Sequence, residues 1–122
     1  LCAAAGVVVP PVLKLDGVNL LPHLNGEIKT GPHEALFWSN GPNKAVRLGQ
    51  WKMVQTHDHV WLFDLKNDIG ETKNLALAKP EILKTLQAKL KQWQGQMKPP
   101  AWPSKPNRRK VMVDGAPYEL SI

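Results

Sequence analysis

The stretch that decides the fold is Lys44-Ala45-Val46-Arg47-Leu48-Gly49-Gln50-Trp51-Lys52-Met53-Val54-Gln55-Thr56, followed by Val60-Trp61-Leu62-Phe63-Asp64-Leu65. From Lys44 to Gln50, Val46 and Leu48 face one way, and Ala45, Arg47 and Gly49 the other. From Trp51 to Thr56 the alternation continues, with Trp51, Met53 and Gln55 opposite Lys52 and Val54. A period of two is the signature of half-buried strands. Gly49 between the two runs predicts a tight turn or bulge. His57-Asp58-His59 fits a hairpin tip. Val60 to Leu65 is the most apolar run, which predicts a central strand. Upstream, Ala35 to Trp38 reads as a short apolar strand, and Asn40-Gly41-Pro42-Asn43 as a turn. Short strands at this spacing make an antiparallel sheet.

Downstream, Lys66 to Leu77 is polar and reads as a loop. Pro80 suits the first turn of a helix, where its missing N–H is not needed, and Glu81 complements the helix N-terminus. Ile82, Leu83, Leu86, Leu90, Trp93 and Met97 then recur at helical spacing, the stripe of an amphipathic helix lying on a sheet. Pro99-Pro100 ends it, so the helix is expected from Pro80 to about Lys98. The fold class is therefore α+β: a small antiparallel sheet of about four strands packed against one long C-terminal helix. Trp102 is expected to fold back as a hydrophobic clasp. Val111 to Ile122 reads as a last strand or a hairpin around Asp114-Gly115.

The beginning of the chain is different in kind. Leu1-Cys2-Ala3-Ala4-Ala5-Gly6 reads as the last turn of a helix with glycine just past its end, and an upstream portion is inferred to be missing. Val7 to Leu13 is expected to be extended around Pro10-Pro11. Leu20, Leu21 and Leu24 suit one helical turn packed by leucines, and residues 27–34 a surface loop. The apolar start is too short and too broken by proline for a membrane span of about 20 residues, so no membrane partner is expected. It also lacks the basic region of a signal peptide.

With 122 residues the chain holds one domain at most. Its 43% hydrophobic and 21% charged residues argue against wholesale disorder. The net charge of +6 is partly carried by Lys105, Arg108, Arg109 and Lys110. That run reads as a patch for anionic polymers or as a solvated tail. The tail is preferred and nucleic acid disfavoured, because no nucleic-acid motif accompanies it. Cys2 is the single cysteine, so no intrachain disulfide and no Cys pair for a metal is possible. His57-x-His59 lacks further ligands at metal spacing, so a solvated hairpin is preferred and no metal site is assigned. Asp68 and Glu71, flanking Gly70, are read as turn organisers ahead of acid–base partners.

Taken together, Asp16-Gly17-Val18-Asn19-Leu20-Leu21-Pro22-His23-Leu24-Asn25-Gly26, Arg47-Leu48-Gly49-Gln50-Trp51-Lys52, Leu62-Phe63-Asp64-Leu65 and Asp68-Ile69-Gly70-Glu71-Thr72-Lys73-Asn74-Leu75-Ala76 resemble the C-terminal subdomain of the type I sulfatases, the arylsulfatase family of the alkaline-phosphatase-like superfamily. Ile69 stands where that family usually has proline. The resemblance covers roughly residues 1–104. It implies three parts: 1–26, a remnant of the inter-domain helix end and connecting segment; 27–104, the subdomain; and 105–122, a basic tail.

The resemblance further implies a parent enzyme that hydrolyses sulfate esters, a sulfuric ester hydrolase. Calcium and formylglycine are expected in its N-terminal catalytic domain, and no cofactor in this chain. The family's nucleophile motif is Cys-x-Pro/Ala-x-Arg. Cys2 lies in Cys2-Ala3-Ala4-Ala5-Gly6, with Gly6 where arginine is required, so no catalytic residue is assigned here. This part alone is expected to be inactive. The expected partners are the catalytic domain of the same chain and the sulfate-ester substrate. His33, Trp38 and Arg47 are the substrate-binding candidates, at a cleft rim. The competing reading is that Trp38 is core and Arg47 pairs with Asp64 or Glu34; Lys52 is likewise read as pairing with Asp64. Family precedent points to a periplasmic, secreted or lysosomal location. The alternative function is a stand-alone binding module for anionic polymers or glycans.

Overall fold

The computed structural model describes residues 1–13, 15, 17–56, 59–99, 101 and 108–121, with residues 120 and 121 described by backbone only. The chain divides into two compact units, Leu1–Glu34 and Ala35–Ile122.

In the first unit, Gly6 at φ +67° closes a turn. The Val7 N–H donates to the Cys2 carbonyl at 2.9 Å and the Gly6 N–H to the Ala3 carbonyl at 3.2 Å. These are the two crossed bonds of a Schellman motif, the way helices end. The helical turn α1 is Leu21–Leu24, as the leucine spacing suggests. Its leucines are not packed, however: Leu20, Leu21 and Leu24 are all exposed. So are Val8, Val12, Leu13 and Leu15.

The second unit carries a four-stranded antiparallel sheet: β1 (Ala35–Asn40), β2 (Asn43–Leu48), β3 (Trp51–Gln55) and β4 (Val60–Asp64), hydrogen-bonded in chain order. Helix α2 spans Pro80–Gln94, and a separate antiparallel hairpin, β5 (Arg108–Val113) and β6 (Ala116–Ser121), follows it. The links match what their residues allow. Gly41 (φ +57°) and Gly49 (φ +59°) each take the first central place of a two-residue hairpin turn, where positive φ matches the twist of the strands. Asp114 and Gly115 both have positive φ, as an Asp-Gly hairpin turn requires.

Helix α2 covers one face of the sheet. Val46, Met53 and Leu62 align across β2, β3 and β4 and pack with Leu86 and Leu90, all of them buried. Phe37 extends the row on β1, and its ring stacks on Trp93 at 5.1 Å between centroids. On the opposite face Trp61 and Phe63 pack with Val113 of the hairpin, flanked by Val54, Leu65 and Tyr118.

The structure also corrects the sequence reading at the helix and at β4. The helix is not C-terminal, because the hairpin follows it. It also ends at Gln94, before Gly95, rather than near Lys98. And β4 is an edge strand rather than a central one. Its unbroken apolar run arises because helix and hairpin bury its two faces. A bare apolar edge would invite pairing with another chain, but here a loop covers it. The Leu62 N–H donates to Asn74 Oδ1 at 3.1 Å, and the Leu75 N–H donates to the Leu62 carbonyl at 2.7 Å. The Trp102 clasp lies outside the described residues.

Candidate functional site

The sheet face turned away from α2 is covered unequally. Its cross-strand rows run Leu36–Arg47–Lys52–Phe63 and Trp38–Ala45–Val54–Trp61. The hairpin packs over the β3–β4 end, burying Trp61 and Phe63. At the other end Leu36 and Trp38 remain exposed, Trp38 by 48%. Trp38 and Arg47 are thus diagonal neighbours on one exposed face. His33, also exposed, belongs to the first unit.

The charges of this face follow from strand parity. Asp64 projects to the α2 side of β4, in register with Trp51, so it cannot meet Arg47 or Lys52 on the opposite face. It is instead buried, accepting from the Lys66 N–H at 3.1 Å and from Asn67 Nδ2 at 2.8 Å. Arg47 Nε donates to the Gly49 carbonyl at 3.0 Å, which holds the guanidinium against the β2–β3 turn. Arg47 and Lys52 are direct cross-strand partners. Like charges so placed repel, and Glu71 offsets this: its carboxylate lies 2.5 Å from Lys52 Nζ, with both side chains mostly buried. Arg47, Lys52 and Glu71 together therefore carry one net positive charge on this face.

Glu71 reaches Lys52 because the loop before it is tied down. The Asp68 carboxylate accepts from the Thr72 N–H at 2.9 Å and the Lys73 N–H at 2.8 Å, and from Thr72 Oγ1 at 3.0 Å. The Lys73 and then the Thr72 backbone bonds hold its pKa below the usual carboxylate value. Glu71 itself sits at φ +54°, a strained conformation for a side chain of its kind. The Asp114 N–H donates to the Thr72 carbonyl at 3.1 Å, and Asp114 Oδ1 accepts from the Asn74 N–H at 3.0 Å. One loop therefore orients Glu71, seals the β4 edge and anchors the hairpin. This is the turn-organising role read for Asp68, whereas the Lys52–Glu71 pair escaped the sequence. Only the 19-residue separation stood between them, and nothing local marks such a contact.

The His57-x-His59 tip lies partly outside the described residues. His59 packs its ring on Tyr118 and Trp61, at 4.9 and 5.4 Å between centroids. Among the described residues no three His, Cys, Asp or Glu side chains gather as a metal ion requires. Cys2 is followed by Ala3-Ala4-Ala5-Gly6. Among the described residues no helix is long and apolar enough to cross a membrane.

No protein-family model matches the chain. A curated relative is the uncharacterized sulfatase YdeN of Escherichia coli strain K12. It is 27% identical over 137 aligned residues, covering 80% of this chain and 24% of YdeN. Among solved structures, that of Ps i-CgsB superposes with a TM-score of 0.70 at 24% identity, over 84% of this chain and 24% of that one. Ps i-CgsB in complex with k-i-k-neocarrahexaose gives the same TM-score at 23% identity, over 85% and 24%. The chain thus has the fold of a segment of Ps i-CgsB and sequence similarity to a sulfatase. It spans about a quarter of the length of these relatives.

Proposed function

We propose that the chain is the C-terminal subdomain of a sulfatase, a hydrolase of sulfate esters. In this reading it packs on the N-terminal catalytic domain and forms part of the rim of the substrate cleft. The observation that carries it is the similarity to YdeN, which runs through most of this chain yet covers only a quarter of YdeN. The motifs in the Arg47–Lys52 and Asp68–Ala76 stretches support it, since both now have structural reasons: a tight β2–β3 turn, and a loop that closes the sheet edge.

The rim residues of the second unit are Trp38 and Arg47; His33, in the first unit, is a separate substrate-binding candidate. An exposed indole offers a flat apolar surface to the organic part of a substrate, and the guanidinium offers charge-assisted hydrogen bonds to an anionic group. The net positive charge of the face suits a sulfated molecule. Formylglycine and calcium would belong to the catalytic domain, and the chemical step with them. Export to the periplasm, extracellular space or lysosome accompanies the reading.

The test has two arms. The coding sequence preceding Leu1 is expected to contain Cys/Ser-x-Pro/Ala-x-Arg; a start codon close upstream instead would favour a free-standing glycan- or polyanion-binding module. The purified chain, assayed on an aryl sulfate with added Ca²⁺, is expected to show no turnover. Turnover that disappears in Cys2→Ala would overturn the reading. In the intact enzyme Arg47→Gln is expected to raise KM by roughly tenfold with kcat little changed, the loss of about one charge-assisted hydrogen bond.

A further inference from the structure

A second region, on the α2 side of the sheet, has the makings of a ligand site. Beyond the row Phe37–Val46–Met53–Leu62, the next row on the same face is Ser39–Lys44–Gln55–Val60. Helix α2 stops at Gln94, and the chain turns away through Met97, Lys98 and Pro99. The helix therefore leaves the β1–β2 end of that face open. A cavity of about 460 Å³ results, lined by Ser39, Gly41, Lys44, Trp93, Gln94, Met97, Lys98 and Pro99. That is within the size range of small-molecule sites, roughly 300–1,000 Å³.

The lining combines three kinds of group. Trp93, fixed by its stacking on Phe37, and Met97 supply apolar surface. Ser39 and Gln94 supply a hydroxyl and an amide. Lys44 and Lys98 supply two cations, and among the described residues the lining has no carboxylate and neither lysine has an ion-pair partner. The helix end contributes about half a negative charge, against two full positive charges from the lysines. The carbonyls of Lys91, Trp93 and Gln94 are already taken by the N–H groups of Gly95, Gln96 and Met97. The balance of the cavity is cationic, with a rigid aromatic wall and neutral donors between.

We propose that this cavity binds a sulfated sugar ring, at a place separate from the Trp38–Arg47 face. The ring's C–H surface lies against Trp93 and Met97, its hydroxyls meet Ser39 and Gln94, and its sulfate is held by Lys44 and Lys98. The chemistry of an anionic saccharide comes from the cavity. The choice of sulfate as the anion rests on the proposed sulfatase reading. On that reading the site holds a further unit of a polymeric substrate, and its role is affinity for chains over single units.

The experiment is amide and indole NMR of the full chain titrated with glucose 6-sulfate, with glucose and inorganic sulfate as comparisons. Saturable shifts are expected at Ser39, Lys44, Trp93, Gln94 and Lys98. Lys44→Gln and Lys98→Gln are each expected to weaken binding about tenfold, one charge-assisted hydrogen bond. Lys84→Gln, which removes the same charge from the exposed side of α2, should leave it unchanged. Equal binding of glucose removes the need for an anion, and equal binding of inorganic sulfate removes the need for a sugar; either overturns the proposal. So do shifts centred on Trp38 and Arg47 or on Arg108–Lys110. Hydrolysis is no part of this readout, so a failure here leaves the sulfatase reading standing, and an upstream start codon leaves this site standing as a glycan site.

Discussion

Single side chains hold the loop between β4 and α2 in shape, and two of them give distinct readouts. Asp68 accepts hydrogen bonds from the Lys73 and Thr72 backbones that favour its charged form. Its folded pKa lies below its unfolded one, so its stabilisation is complete above the unfolded value of about 4 and is lost as the pH falls through the folded value. Asp68→Asn is therefore expected to lower stability near neutrality and to flatten the acid limb of the stability curve. Urea midpoints from pH 7 down to pH 2 measure this, and an unchanged acid limb would show that the loop does not depend on the carboxylate. Glu71 answers to salt instead. Glu71→Gln leaves Arg47 and Lys52 facing each other uncompensated, at an expected cost of about 1 kcal/mol that shrinks at high ionic strength. Lys52→Gln in the same background should recover part of the loss, because it also removes the repulsion.

Among the elements, α2 and β4 carry most of the core. Leu86 and Leu90 are fully or almost fully buried, against Val46, Met53 and Leu62. Leu86→Ala and Leu90→Ala are each expected to cost roughly 2–5 kcal/mol in urea unfolding. A loss under about 0.5 kcal/mol, the scale of ordinary surface changes, would show that the helix presents another face. The stripe was legible in the sequence because helical spacing places those leucines on one side whatever the partner is. The position of β4 was not legible. An unbroken apolar run reports that both faces are buried, not how many strands flank it. Here the second cover is a hairpin distant in sequence, and the edge is closed by Asn74, whose role depends on where the loop returns.

At the scale of the whole molecule the two units differ in how they hold their apolar residues. The second unit has buried clusters of its own, around Leu62 and around Trp61. In the first, Leu1, Val8, Val12 and Leu24 are exposed by 110%, 87%, 83% and 77%. Exposed apolar surface of more than a few hundred Å² favours association, and in the proposed function the catalytic domain would cover it. The isolated chain is expected to self-associate with rising concentration in sedimentation or light scattering, and a chain beginning at Gly26 to do so less while keeping its unfolding midpoint. A strictly monomeric full chain, together with a destabilised shorter one, would mean that the segment is packed internally, and would favour the free-standing module.

By itself the sequence determined the local geometry: the alternation of β2 and β3, a strand break at Gly49, the stripe of α2 and the helix-ending turn at Gly6. Each follows from backbone sterics or from the period of one element, and needs only neighbours in sequence. The parity of β2 also put Trp38's neighbour Arg47 on the face away from Val46 before any partner was known. The tertiary structure alone decided which carboxylate meets Lys52, that Asp64 is walled off on the other side of the sheet, that the hairpin covers half of one face and leaves Trp38 open, and that α2 ends short of Lys44. Those outcomes depend on how far loops reach and where elements stop against one another. Such distances are set by the packing of residues far apart in the chain, and no local pattern encodes them.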